Sequence, residues 1–243
     1  MIELNSDQLT AKEKMVDFFH ATGTHFFLLE GFAGTGKTTT IQQTVMQLKE
    51  EDPKLNICFA ATTNKAVKVL AEMAFEHDLQ VDCATIHSIL GLVVTADGEE
   101  KQTRKMVVGH FDTYDLVVID EISMASKYLW SVIESHAHEQ EVKVILMGDK
   151  NQLPPVKESE SPAFKLVDDS HRLTKVMRQA EDNPIQILTA ELRSAVEYGT
   201  SYRIATDLNS EGFGVRCVNA KTFALWVEEN FSSDEYRDNP NAF

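Results

Sequence analysis

A chain of 243 residues, 43% hydrophobic and 25% charged, has room for one large or two small domains around a substantial core. Its longest apolar runs, such as Leu116 to Ile119 and Val142 to Met147, are too short to cross a bilayer, and Met1-Ile-Glu-Leu-Asn5 carries no export pattern, so a cytoplasmic chain with no membrane partner is expected. A net charge of −15 argues against capture of polyanions by the surface as a whole and leaves that task to a local basic or polar stripe, with acidic residues gathered elsewhere, as between Glu228 and Asp238.

Asn5-Ser-Asp-Gln8 offers capping side chains before Leu9, Met15, Val16, Phe18 and Phe19, which predicts an amphipathic helix ahead of the first strand. Phe26 to Leu29 reads as that strand, and Thr40 to Leu48 as the helix after a glycine-rich turn. Lys54 to Ala60 reads as a second strand, and Asn64 to Phe75 as a helix with Val67, Leu70, Ala71 and Phe75 turned inward. From Leu92 to His110 the character changes: two β-like runs, Leu92 to Thr95 and Met106 to Val108, flank the polar stretch Ala96 to Lys105, which predicts a small inserted β-hairpin. Asp115 to Glu121 and Val142 to Asp149 are apolar on both faces, as central parallel strands are. Between them Ala125 to His138 places Leu129, Trp130, Ile133 and Ala137 at helical spacing. Beyond Pro155 come a short helix, a strand at His171 to Val176, a helix from Pro184 to Tyr198, a strand near Gly214 to Val218 and a helix from Lys221 to Phe231. Strands alternating with helices indicate the α/β class, with a mostly parallel sheet flanked by helices. Cys58, Cys83 and Cys217 lack metal-ligand spacing and read as buried reduced thiols.

The chemistry begins at Gly31-Phe-Ala-Gly-Thr-Gly-Lys-Thr-Thr39, which fits G-x-x-x-x-G-K-[ST] between a strand and a helix, the setting of a phosphate-binding loop. Gly34 and Gly36 open backbone conformations closed to other residues, so the segment Gly34, Thr35, Gly36, Lys37, Thr38 and Thr39 is expected to hold ATP. Lys37 would reach the β- and γ-phosphates, and the Thr38 hydroxyl would complete a Mg²⁺ shell at the positive end of the following helix. Ligands of an open α/β sheet bind beyond the carboxyl ends of its strands, so this loop, Asp120-Glu121 and Gly148-Asp149 should converge on one edge. There Asp120 is placed to hold Mg²⁺, and Glu121 to orient and deprotonate the water attacking the γ-phosphate. Gln152, in Gly148 to Val156, suits a sensor that donates to a phosphate oxygen and accepts from water, or equally a polar loop stiffened by Pro154 and Pro155. Arg178 could serve as an arginine finger in cis, although on its own it reads first as a surface salt bridge.

These stretches, in this order, resemble superfamily 1 DNA helicases of the RecD and Dda type. The resemblance rests on Gln8, on Gly31 to Thr39, on Ala60-Ala-Thr-Thr-Asn-Lys65, on Thr85-Ile-His-Ser-Ile-Leu90, on Val118 to Met124, on Gly148 to Val156 and on Met177-Arg-Gln179. Together they span about three quarters of the chain. The resemblance implies a RecA-like P-loop fold, an adenine-recognising role for Gln8, and a single-strand path lined by Thr63, Asn64, Thr85 and His87. It further implies ATP- and Mg²⁺-dependent, 5′ to 3′ movement on single-stranded DNA, unwinding at duplex junctions, and partners among replication or recombination proteins. Its domain plan would be a first RecA-like domain over residues 1–91 and 111–231, interrupted at 92–110 by a pin-like hairpin, with 232–243 a linker towards a second RecA-like domain whose motifs this chain does not carry. The inserted stretch has no aromatic between Thr95 and Gly109 to stack on a base. Two other readings of the residues stay open: a small-substrate kinase on the same scaffold, which would ordinarily bring a cluster of arginines not found here, and a non-enzymatic module that uses ATP as a switch.

Overall fold

The first turn of the molecule is closed by a capping box. The Asn5 side chain accepts from the Gln8 amide at 2.9 Å, and the Gln8 side chain accepts from the Asn5 amide at 3.0 Å, which starts helix α1 at Ser6–His20. The computed structural model describes residues 3–94, 100–102, 109–175, 184–203, 205–208 and 214–231. After α1 the chain runs through β1 (Phe26–Gly31), α2 (Lys37–Glu51), β2 (Ile57–Ala61), α3 (Asn64–Glu76), β3 (Asp82–Thr85), the single turn α4 (Ile86–Ile89), β4 (Leu92–Val94) and β5 (Glu100–Gln102). It continues through β6 (Leu116–Asp120), α5 (Lys127–Gln140), β7 (Lys143–Gly148) and β8 (Asp169–Leu173), and then α6 (Pro184–Tyr198), β9 (Asp207–Leu208), β10 (Gly214–Val215) and α7 (Ala220–Phe231).

Six strands form one sheet in the order β3-β2-β6-β7-β1-β8, and each neighbouring pair is parallel. Alternate residues feed two cores. Phe26, Leu28, Val117, Ile119, Val144 and Leu146 face one side, where Leu129, Trp130, Ile133 and Ala137 of α5 cover them. Phe27, Leu29, Phe59, Val118, Ile145 and Met147 face the other, under Met15 and Phe18 of α1, Ile41, Val45 and Leu48 of α2 and Leu70 of α3. Burial on both faces is why these strands read as unbroken apolar runs. This is the three-layer α/β arrangement of a RecA-like domain.

Several local expectations are revised. The edge strand β3 was not expected, because Asp82-Cys-Ala-Thr85 is short and polar; its backbone pairs with β2 through Ala61 opposite Thr85. In the inserted stretch polar Glu100–Gln102 pairs antiparallel with Leu92–Val94, and the expected run Met106 to Val108 lies outside the described residues. On α3 Leu70 is buried and Val67 packs against the same core, as expected, but the next buried position is Ala74, while Phe75 is 88% exposed. Cys58 is buried and Cys83 half-buried, but Cys217 is exposed. Burial pushes the Cys58 thiol up to about 12, which leaves it protonated and inert.

The backbone forms two compact units, Met1–Arg178 and Gln179–Phe243. The second unit contains α6, the antiparallel pair β9 and β10, and α7, where the Phe223 and Trp226 rings stack with centroids 6.2 Å apart. Among the described residues no helix is long and apolar enough to cross a membrane.

Candidate active site

The turn from β1 into α2 is shaped by glycine. Gly34 and Gly36 sit at φ 83° and 85°, a region that side-chain-bearing residues avoid. A Cβ on Gly36 would collide with the Gln8 amide, and one on Gly31 would lie 2.6 Å from Thr35 Oγ1. Inside the turn, Thr35 donates through both its amide (3.2 Å) and its hydroxyl (2.8 Å) to the Phe32 carbonyl. Thr35 is fully buried, so its side chain braces the loop rather than lining the groove. Gly36 caps α2 without a side chain, and no side chain caps that helix, which leaves its first-turn amides and the positive end of its dipole to an anion. Lys37 Nζ donates to the carbonyls of Gly31 (2.6 Å) and Phe32 (3.3 Å), which holds its charge at the mouth of the loop.

Two carboxylates stand across from it. Asp120, the last residue of β6, accepts from the Glu121 amide at 2.8 Å. Burial pushes its carboxyl above the ordinary range, opposed by that amide and by Lys37. Glu121 occupies the left-handed region at φ 56°, an uncommon conformation for a residue with a side chain. Its carboxyl is also raised, first by burial and then by the charges of Asp120 and Asp149, with Lys37 working against them. Asp149, 7% exposed at the end of β7, organises the next turn: its carboxylate accepts from Asn151 (3.0 Å) and its carbonyl from the Gln152 amide (3.0 Å).

One groove of about 300 Å³ gathers Gln8, Gly34, Gly36, Lys37, Thr38, Thr39, Asp120, Glu121 and Gln152. Gln8 enters it tied down, its Nε2 donating to the Thr35 carbonyl at 3.0 Å while its Oε1 caps α1. Hydroxyl and carboxylate oxygens from Thr38 and Asp120 are the hard donors that Mg²⁺ takes, and the uncapped first turn of α2 offers amides to phosphate. The residues therefore fit a magnesium nucleotide. Arg178 lies outside the described residues.

A second groove, of about 460 Å³, shares Asp120, Glu121 and Gln152 with the first and continues past Thr62, Thr63, Lys65, Val69 and Met124. Strand register explains the adjacency: Ala61 lies opposite Asp120 on one side and Thr85 on the other. Thr63 then caps α3, accepting from Ala66 at 3.2 Å, and Thr85 caps α4, accepting from Ser88 at 3.2 Å. Thr63 and Asn64 are exposed, and Thr85 and His87 half-buried, all on the same sheet edge as the nucleotide groove.

Sequence reasoning missed several residues here. Phe32 and Glu3 line the first groove, and Thr62 and Ser123 the second. Asp149 was expected on this edge from the Gly-Asp pair that closes an apolar run, whereas Thr62 and Ser123 lie inside Ala60 to Lys65 and Val118 to Met124 and carried no separate signal there. The neighbour of Gln8, Asp7, binds edge strand β8 through His171 Nε2 (2.8 Å) and the Thr174 amide (3.1 Å), so one helical turn grips both the loop and the sheet edge.

The family described as AAA domain matches residues 3–212. Among curated proteins, an uncharacterised protein of Acanthamoeba polyphaga mimivirus is 32% identical over 191 residues, 72% of this chain and 39% of that protein. The ATP-dependent RecD2 DNA helicase of Deinococcus radiodurans is 30% identical over 167 residues, 67% of this chain and 21% of that protein. Among solved structures, the Pif1 helicase of Candida albicans superposes with a TM-score of 0.57 at 22% identity, covering 81% of this chain and 44% of that one, a likeness of fold. The chain thus spans less than half the length of these relatives. By fold, motif order and this match, the chain belongs to the AAA domain family and is a RecA-like domain of the kind found in RecD-type and Pif1-type helicases.

Proposed function

We propose that the chain is the ATP-binding motor domain of a DNA helicase, which moves 5′ to 3′ on single-stranded DNA and couples ATP hydrolysis to unwinding at duplex junctions. The observation that carries this reading is the sharing of Asp120, Glu121 and Gln152 by two grooves, one built around a phosphate loop and the other rimmed by Thr63. A nucleotide and a strand on those two grooves would meet at the same three side chains.

In this reading the loop amides and Lys37 hold the β- and γ-phosphates, Thr39 lies on the same helical turn, and Gln8 stands at the adenine end. Thr38 and Asp120 would hold Mg²⁺, which when bound neutralises charge on the phosphate oxygens. Glu121 takes a proton from the attacking water, a role suited by its raised carboxyl, while Gln152 reports the γ-phosphate and Arg178 steadies the transferring group. Thr63, Asn64, Thr85 and His87 carry the strand. They do so by local contact, since a net charge of −15 offers no general attraction. A second RecA-like domain, replication or recombination partners and a cytoplasmic setting belong to the same proposal, as does a domain plan with the 92–110 hairpin as an insertion.

The test is ATP turnover with and without single-stranded DNA, measured on residues 1–243 and on the product of the full reading frame. Strand-stimulated hydrolysis by the latter is the expected result. Phosphoryl transfer to a small acceptor, or strand binding switched by ATP without turnover, would replace the helicase reading.

A further inference from the structure

The second groove contains two hydroxyls whose burial serves no packing purpose. Ser123 is 3% exposed, and its Oγ finds no hydrogen-bond partner among the described residues; Thr62 Oγ1 is likewise shut away and unpaired. Both line the groove that runs from Glu121 and Gln152 to Thr63. Their positions follow from the sheet. Thr62 directly succeeds Ala61, which pairs with Asp120, and Ser123 lies in the short 3-10 turn Ile122–Met124 that Glu121 enters in its left-handed conformation. That turn is seated on the end of β7, where a Cβ on Gly148 would come within 2.8 Å of Ile122 and 3.6 Å of the Ser123 amide. Alanine at 123 or valine at 62 would fill nearly the same volume without an unsatisfied hydroxyl, so the fold bears a cost that packing does not require.

Resting on the helicase reading of this site, we infer that Thr62 and Ser123 are positioning residues that order the attacking water on Glu121 and make that order depend on a strand at Thr63 and Asn64. A hydroxyl offers one donor and two acceptor sites, so the pair can bridge waters between a carboxylate and the backbone of the strand-facing turn. The hydroxyls stay neutral throughout. In the step they serve, the water oxygen bonds to the γ-phosphorus, the bond from that phosphorus to the oxygen of the departing ADP breaks, and the water proton passes to Glu121. Thr62 immediately precedes the residue that caps α3, so a strand that shifts the Thr63 backbone shifts Thr62 with it.

The experiment compares Ser123→Ala, Thr62→Val and the hydroxyl-retaining Thr62→Ser with the parent, using the product of the full reading frame. Melting temperature, affinity for a fluorescent non-hydrolysable ATP analogue, and kcat and KM for ATP with saturating oligothymidylate are measured. Expected are a melting temperature unchanged or raised in Ser123→Ala, analogue affinity and KM within about twofold, and a strand-stimulated kcat lowered about 10- to 100-fold, as misplacement of a reacting group costs. Thr62→Ser should recover most of the rate. Parental strand-stimulated kcat in both hydroxyl-free variants, or a fall in rate matched by a fall in melting temperature and not recovered by Thr62→Ser, would overturn the inference and leave the helicase reading standing. A parent without strand stimulation would overturn that reading, and the inference with it.

Discussion

Glu121 concentrates the tension of the site in one residue. It holds a left-handed backbone, shares a buried corner with Asp120 and Asp149, and is relieved only in part by Lys37. Because its folded carboxyl binds a proton more tightly than an unfolded one, its charged form costs stability at neutral pH, and that cost fades as pH falls through its raised value. Glu121→Gln should therefore melt above the parent at pH 8, with the gap closing as pH is lowered into the range where the parent carboxyl protonates. The same variant should bind nucleotide as the parent does and lose about 10²- to 10⁴-fold in turnover, because an amide cannot accept the proton. Thermal melts across pH, with binding and turnover on one preparation, check both arms; a lower melting temperature at pH 8 would contradict the strained-acid account.

At the scale of elements, the phosphate loop and α3 make opposite points about side chains. Gly36 is confined by its φ of 85° and by Gln8, which donates to the neighbouring Thr35 carbonyl. Gly36→Ala must therefore accept left-handed strain of about 1–2 kcal/mol and also push Gln8 off the loop. Loss of nucleotide affinity together with a lowered melting temperature is expected, and unchanged affinity by fluorescence titration would count against the cradle. On α3, Leu70 is 2% exposed under the sheet and Phe75 is 88% exposed. Denaturant titration should find Leu70→Ala destabilised by about 2–5 kcal/mol and Phe75→Ser within about 0.5 kcal/mol of the parent. A large loss from Phe75→Ser would mean that this face of the helix is covered.

For the whole molecule, the proposed function assigns one wall of a phosphoryl-transfer site to the sheet edge between Gly31 and Gln152 and leaves the facing wall to another domain. Residues 1–243 assayed alone are accordingly expected to bind ATP weakly and hydrolyse it slowly. An arginine contributed from a facing surface is worth about 10³ to 10⁵ in rate in related NTPases. A net charge of −15 also makes any strand held on this one edge sensitive to salt. Steady-state ATPase with and without oligonucleotide, at two salt concentrations, checks this. Robust strand-dependent turnover by a monomer of residues 1–243 would place a complete site within the chain.

The phosphate loop, the acid pair and the central strands were legible from sequence because each is a local signal: glycines where the backbone must turn left, Asp120-Glu121 closing an apolar run, and residues buried on both faces of β6 and β7. Other features depended on partners distant in the chain. Polar β3 is a strand only because β2 offers its edge, and polar Glu100–Gln102 is one because it pairs with Leu92–Val94. Gln8 could be read as a nucleotide contact, but its grip on Thr35 spans 27 residues of sequence and needed α1 laid against the loop. The burial of Thr62 and Ser123, and the sharing of three side chains by two grooves, arise where the ends of β2, β6 and β7 meet. Local conformation is written in neighbouring residues and the convergence of strand ends follows from the sheet class, whereas the burial of particular side chains is a property of the packed sheet, and tertiary structure alone decided it.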